Sequence, residues 1–409
     1  MNSSLSSVNA VLTYILERVP TLATETIPLD SCFNRVLAEP IIAPMDVPHF
    51  PSSSMDGYAL RHDDLAQVET FQMIDDVTAG KVGTTPLRQG TVIRIMTGAP
   101  LPEGADTVIP VEDTNQTWHL HPESLSSTSI QFIHKTASQG ANIRPRGENI
   151  QQGQRLIEAN TRLLPQHIGV CASIGMTHLT VYCRPLIVIF STGDELVELG
   201  SPLQHGQIYD SNLYMLAALV EQNGGEVKRI GVAQDSFEST LACFQEALRF
   251  NPTAIITTAG VSVGAKDYVK AVVEQIGQLN VWKVDIRPGK PFAFGSVQGI
   301  PFFGLPGNPV SAIVTFHVFV RPFLLTLQHL PNHSQLVEAI AGEDIVSDGR
   351  RTYSRVRLEM KDNMPYAYLT GTQSSGALFS MVLADGLLVI PEGQQKIEVG
   401  EKVHVQLLR

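Results

Sequence analysis

Residues 253–276 read TAIITTAGVSVGAKDYVKAVVEQI. The first six are a continuous apolar run with β-branched residues, the middle is punctuated by glycine, and VKAVVEQI spaces its apolar residues for one side of a helix. A buried strand running through a Gly/Ser loop into a helix is the repeating unit of a parallel α/β sheet. It is also an architecture that cradles phosphate, because backbone N–H groups and the helix N-terminus face the anion. Yet the loop matches neither standard nucleotide motif. It lacks G-K-[ST], and Gly260 and Gly264 do not make G-x-G-x-x-G.

The same grammar repeats on both sides. Upstream come the strand PLIVIF, the helix SNLYMLAALVEQNG, the strand KRIGVA and the helix SFESTLACFQEALRF; downstream come PFFGL and NPVSAIVTFHVFV. This alternation predicts an α/β multidomain protein built around a doubly wound parallel sheet. Before it, three prolines and SSS mark a boundary near residue 50, and short β-rich runs with turns follow. After Pro322 the alternation stops, and short alternating strands predict a small β-barrel or sandwich from residue 327 onward. At the N-terminus, Val8, Leu12, Ile15, Leu16 and Val19 mark one face of a helix.

With 409 residues, several domains are expected. A formal charge of −11 speaks against a general nucleic-acid or membrane-surface binder, so an anionic ligand would need local cations or a metal. Four scattered cysteines without a C-x-x-C pair suit a reducing compartment. No segment reads as long and apolar enough to span a membrane, and the cytoplasm is the expected location.

Strand-end loops of a parallel sheet gather on one edge, where ligands bind. Asp194 and Glu195 in STGDEL, Asp235 after KRIGVA, and Asp267 in the opening loop would meet there beside glycine-rich backbone. Carboxylates near phosphate make sense if Mg²⁺ joins them, since it prefers oxygen ligands; helix capping is the alternative for Asp194 and Asp267. Lys283, Arg287 and Lys290 sit at spacings of four and three in VWKVDIRPGKPFAFG, with Arg287 and Lys290 around a Pro-Gly turn, where they would orient an oxyanion or simply face solvent. Asp56 in MDGYA and Thr97 in IMTGAP lie outside this module and read alone as turn chemistry. His119 and His121 form an H-x-H without a third ligand in view.

Taken together, PSSSMDGYALR, RIMTGAPLPEGADTVIP, IRPRGENI, FSTGDEL, GQIYDSN, TAGVSVGAKDY, RPGKPFAFG and FGLPGNPVS resemble the MoeA family, the molybdopterin molybdenumtransferases. The resemblance implies an N-terminal helix and segmented linking domain over 1–46 and 138–180. It also implies an inserted β-rich domain over 47–137, an α/β molybdopterin-binding domain over 181–326 and a C-terminal β-barrel over 327–409. The implied reaction inserts molybdenum from molybdate into adenylylated molybdopterin with Mg²⁺, releasing AMP. The implied catalytic residues are Asp56, Thr97, Glu195, Asp235, Asp267, Lys283 and Arg287, with Glu195 and Asp267 as metal ligands. Gly260, Ser262, Gly264, Lys290, Pro291, Ser311, Arg355 and Ser375 would bind molybdate and substrate.

An active homodimer is implied, with its cleft between the α/β domain of one subunit and the barrel of the other. Molybdopterin adenylyltransferase and apo-molybdoenzymes are the implied partners, with no nucleic acid or membrane. Three positions depart from the usual pattern. Ala259 stands where a second glycine is common, Arg287 replaces a frequent lysine, and Asn149 occupies an often acidic place. An adenylyltransferase would share the α/β grammar but not the MDGYA insert or barrel; a non-catalytic scaffold on the same fold is the other alternative.

Overall fold

The computed structural model describes residues 6–116, 129–261, 268–332 and 335–408. The central sheet has six strands, in the order Glu226–Ala233, Leu186–Thr192, Ala254–Thr258, Ile300–Leu305, Ala293–Val297 and Gly277–Trp282. The first four run parallel, as expected. The last two are antiparallel, so the sheet is mixed. Gly277–Trp282 is an edge strand whose residues alternate between half-buried and exposed at its start, which hid it beside the continuous apolar runs.

Alternation along each central strand feeds two cores. Ile187 and Ile189 face the helices Ser211–Gln222 and Pro309–Leu327, and the N-terminal helix Val8–Leu16 packs Val8, Val11 and Ile15 into this same cluster. Val188 and Phe190 face Phe237–Arg249 and Tyr268–Ile276, where Phe244 stacks edge-on against both Phe190 and Phe302. Burying the strands on both sides is what forces their unbroken apolar composition.

The helix that begins at Pro309 does not stop before Pro322. A π turn over Phe316–Val320 precedes it, and a further helical segment, Arg321–Leu327, carries the proline in its first turn. A proline there sacrifices no essential N–H bond. The whole Pro309–Leu327 helix, at 19 residues and mean hydropathy 1.7, does have the length and apolarity of a membrane span, contrary to the sequence reading, but 89% of it is buried inside the protein. It is a core helix.

In the C-terminal region Arg351–Lys361 pairs with both Met364–Leu369 and Gly386–Ile390. Lys402–Leu407 and Leu336–Ala341 complete a closed five-stranded barrel around Val356, Leu388 and Val405. Thr107–Pro110, Gly57–Leu60, Thr91–Ile95, Phe71–Val77 and Ser129–Ile130 form the β-rich sheet. Between these bodies, distant segments pair: Thr24–Pro28 with His178–Tyr182, and Ile41–Ile42 with Arg155–Ile157.

Candidate active site

A cleft of about 1090 Å³ opens at the carboxyl ends of the parallel strands, between the central sheet and the barrel. Both walls come from one chain. The short strand Ile286–Arg287 pairs in parallel with Arg351 and Thr352 of the barrel. Arg350 Nη1 donates to the Ile286 carbonyl at 3.3 Å, and the Val310 N–H donates to the Ser375 carbonyl at 3.1 Å. Backbone pairing thus clamps α/β domain and barrel together within the chain, where the resemblance implied walls from different subunits.

Eight of the expected residues line this cleft: Glu195, Gly260, Arg287, Lys290, Pro291, Ser311, Arg355 and Ser375. Asp56, Thr97, Asp235 and Lys283 do not. Ser262, Gly264 and Asp267 lie outside the described residues, as do His119 and His121. Among the described residues no three His, Cys, Asp or Glu side chains converge as a metal site.

Lys290 is held by its backbone. Its carbonyl accepts from the N–H groups of Val284 and Phe292, each at 3.0 Å, while its side chain is exposed. The preceding Gly289 has φ 121°, and a Cβ there would stand 2.5 Å from Thr315 Cγ2. The turn thus presses onto the helix that carries Ser311, which only glycine allows. Arg287 is less free: its guanidinium lies 3.5 Å from Asp348, a carboxylate also bound by Arg350. Those bonds from Arg350 hold the Asp348 carboxyl below its ordinary range, so it stays ionised beside Arg287.

Arg355 is only 1% exposed. Nε donates to Ser380 Oγ at 3.0 Å, and Nη2 donates to the carbonyls of Thr372 and Ser374 at 2.9 and 3.1 Å. Burial weakens its hold on the proton. These bonds shape the loop that presents Ser375. At the opposite wall, the Glu195 carboxylate folds over Gly193 so closely that a Cβ there would meet its Oε2 at 2.6 Å.

Two cleft residues carried no assignment from sequence. Asp210 Oδ1 caps the helix Ser211–Gln222 by accepting from the Leu213 N–H at 3.0 Å, while its buried Oδ2 has no partner among the described residues. Asn212 donates to Thr258 Oγ1 and the Gly307 carbonyl at 2.9 and 2.7 Å, leaving a buried Oδ1 without a partner among the described residues. Buried acceptors without donors are costly, and both line the cleft. In GQIYDSN the sequence signals only an N-cap Asp; the buried, unpaired second oxygen shows in the structure alone.

Ala259 sits at φ 67°, a left-handed conformation that disfavours side chains. Its methyl lies 3.1 Å from where a Cβ on Gly307 would stand, so the two strand-end loops meet across this pair. Ala259→Gly should raise stability by about 0.5–1 kcal/mol, because relief of strain exceeds the added freedom of the unfolded chain. A higher urea midpoint at unchanged slope is the expected reading. A lower midpoint would show that methyl packing outweighs the strain.

Outside the cleft, Asp56 Oδ1 accepts from the Thr97 N–H at 2.7 Å and from Thr97 Oγ1 at 2.8 Å, so the two signature loops of the β-rich sheet form one unit. Asp235 donates its backbone N–H to Asp194 Oδ1 at 3.0 Å. Lys283 sits at φ 71° with its N–H bound to the Phe292 carbonyl.

A cleft of cations and hydroxyls at the carboxyl ends of a doubly wound parallel sheet stands where proteins of this class bind their ligands. Residues 6–175 match the MoeA N-terminal region (domain I and II), residues 188–326 a family described as "Probable molybdopterin binding domain", and residues 338–408 the MoeA C-terminal region (domain IV). The chain is 35% identical over 402 residues to a molybdopterin molybdenumtransferase of Haemophilus influenzae, covering 96% of each chain. It is also 35% identical over 418 residues to a protein of that name from Nostoc, covering 98% of this chain and 93% of that one. A crystal structure of a molybdopterin biosynthesis MoeA protein from Pyrococcus horikoshii superposes with TM-score 0.83 at 29% identity, over 99% of this chain and 100% of that one. The chain belongs to the MoeA family of molybdopterin molybdenumtransferases.

Proposed function

We propose that this chain inserts molybdenum from molybdate into adenylylated molybdopterin and releases AMP. The observation that carries the reading is the composition of the strand-end cleft. Lys290, with Ser311 and Ser375, supplies a cation and hydroxyls suited to a tetrahedral dianion, beside the glycine-rich strand ends suited to phosphate. Asp210 and Asn212 offer unpaired acceptors to the N–H donors of an organic ligand. Following AMP release with molybdate and with tungstate tests the assignment; no release with either oxyanion defeats it.

Mg²⁺ fits this donor set in part. The Glu195 side chain accepts no hydrogen bond from the described residues and lines the cleft, and a carboxylate oxygen suits a hard cation. Asp267 is the proposed second ligand. When bound, the ion would neutralise charge on the substrate phosphates.

The division into linking segments 1–46 and 138–180, insert 47–137, α/β domain 181–326 and barrel 327–409 is retained as part of the proposal. So are a cytoplasmic location, supply of substrate by molybdopterin adenylyltransferase and delivery to apo-molybdoenzymes.

Asp56 and Thr97 do not line their own chain's cleft, which supports a homodimer in which each β-rich sheet completes the partner's site. Mixed dimers test this. Asp56→Asn and Lys290→Ala chains, each inactive alone, should recover about a quarter of wild-type turnover when combined equally, because half the dimers carry one intact site of two. Failure to recover any activity after verified subunit exchange contradicts a shared site.

A further inference from the structure

The parallel strands also have an amino-terminal end, and there a second cavity of about 990 Å³ opens. It shares no lining residue with the cleft. Arg184 enters it from just before the strand Leu186–Thr192, Arg162 from the linking segment, and Arg321 from the long core helix. Among the described residues none of these three guanidinium groups makes a hydrogen bond or an ion pair. Glu221 and Glu226 also line the cavity, but neither stands within 4.0 Å of the three as an ion pair. Arg162 lies close against the chain: a Cβ on Gly224, at φ 87°, would stand 3.3 Å from its Nη1.

His317 is the second, independent sign. It is 6% exposed, lines the cavity and has no hydrogen-bond partner among the described residues. Burial, then the nearby Arg321 charge, lowers its pKa to about 4, so it is neutral at physiological pH. Burial also weakens the proton affinity of Arg162 and Arg321, and the Arg321 charge adds to this at Arg162. His317 lies within the π turn Phe316–Val320, which Arg321 directly follows. Such turns inside helices are frequent at functional sites.

Arg162 and Arg321 are half-buried, and the charge of one bears on the other, which is costly without a counter-ion; the exposed Arg184 adds a third positive charge to the same lining. We infer that this cavity is a binding site for an organic phosphate, with Arg162, Arg184 and Arg321 as its charge clamp. One carboxylate would offset a single guanidinium; a phosphate group carries close to two charges and presents several oxygens to planar forks. Leu325, Leu330 and Leu408 provide apolar wall for the organic part. The cavity exceeds what bare phosphate needs and falls within the usual size of sites for small organic ligands. Its place, opposite the strand-end cleft, separates it from the chemistry, and the inference does not depend on the activity proposed above.

Inorganic pyrophosphate is the probe, titrated calorimetrically at low salt into the full chain carrying Lys290→Ala, which weakens anion binding in the cleft. One equivalent should still bind. Adding Arg162→Gln and Arg184→Gln should reduce that affinity by at least about tenfold and flatten its salt dependence. Unchanged melting of the variant keeps the reading clean, and Arg184→Gln alone, at an exposed position, serves if the pair perturbs folding. Absence of binding in Lys290→Ala, or equal affinity with and without the arginines, overturns the inference.

Discussion

Lys290→Ala is expected to cut molybdate-dependent AMP release by about 10²–10³-fold, the usual cost of losing one preorganised electrostatic contact to a reacting oxyanion. The reasoning begins with backbone. Two N–H groups fix the Lys290 carbonyl, and Gly289 lies too tightly against Thr315 to let the turn drift. The ammonium is thus delivered to the cleft from a rigid base, so little ordering remains to be done when substrate arrives. Neighbouring charge does not replace it, because Arg287 already faces Asp348. Lys290→Arg should recover only part of the loss, since a planar fork is not a compact point charge. Steady-state kinetics with AMP as readout measures both; turnover within about threefold of wild type in Lys290→Ala would remove this residue from the machinery.

Arg355→Ala should be the most destabilising single change in the cleft, by about 3–5 kcal/mol. It deletes a large, almost fully buried side chain and leaves the carbonyls of Thr372 and Ser374 without their donor. The same loop holds the Ser375 carbonyl that receives the Val310 N–H, so the junction between barrel and α/β domain should loosen with it. Urea denaturation gives the stability loss, and hydrogen exchange at Val310 reports the junction. A wild-type midpoint together with protected exchange would show that Arg355 serves ligand alone. Because its Nε and Nη2 are occupied by the protein, its role in shaping the loop precedes any contact with substrate.

The central sheet was legible because its inner parallel strands, Leu186–Thr192, Ala254–Thr258 and Ile300–Leu305, are buried on both faces and read as apolar runs. The antiparallel edge was not, since Gly277–Trp282 is half exposed and resembles connecting chain. The helix read as NPVSAIVTFHVFV continues past Pro322 to Leu327, where a π turn and a fresh helical start absorb the missing N–H. The barrel strand Leu336–Ala341 escaped notice for a similar reason, as its outer residues are open to solvent.

In the site, residues at strand ends and in the Pro-Gly turn were readable because topology alone brings them to one edge. Lys283 was grouped with Arg287 and Lys290 by spacing, yet a left-handed backbone at residue 283 breaks the common face that spacing assumes. Asp210 and Asn212 were unreadable as ligand groups, because only burial reveals that a capping Asp and a bridging Asn each keep an unpaired oxygen.

The most direct test of the proposed reaction supplies purified chain with adenylylated molybdopterin, molybdate and Mg²⁺, and in parallel with free molybdopterin and ATP. The account predicts AMP release and molybdenum bound to the pterin product in the first mixture, with no ATP consumption in the second. ATP consumption with free molybdopterin, and no AMP from the adenylylated form, would contradict it.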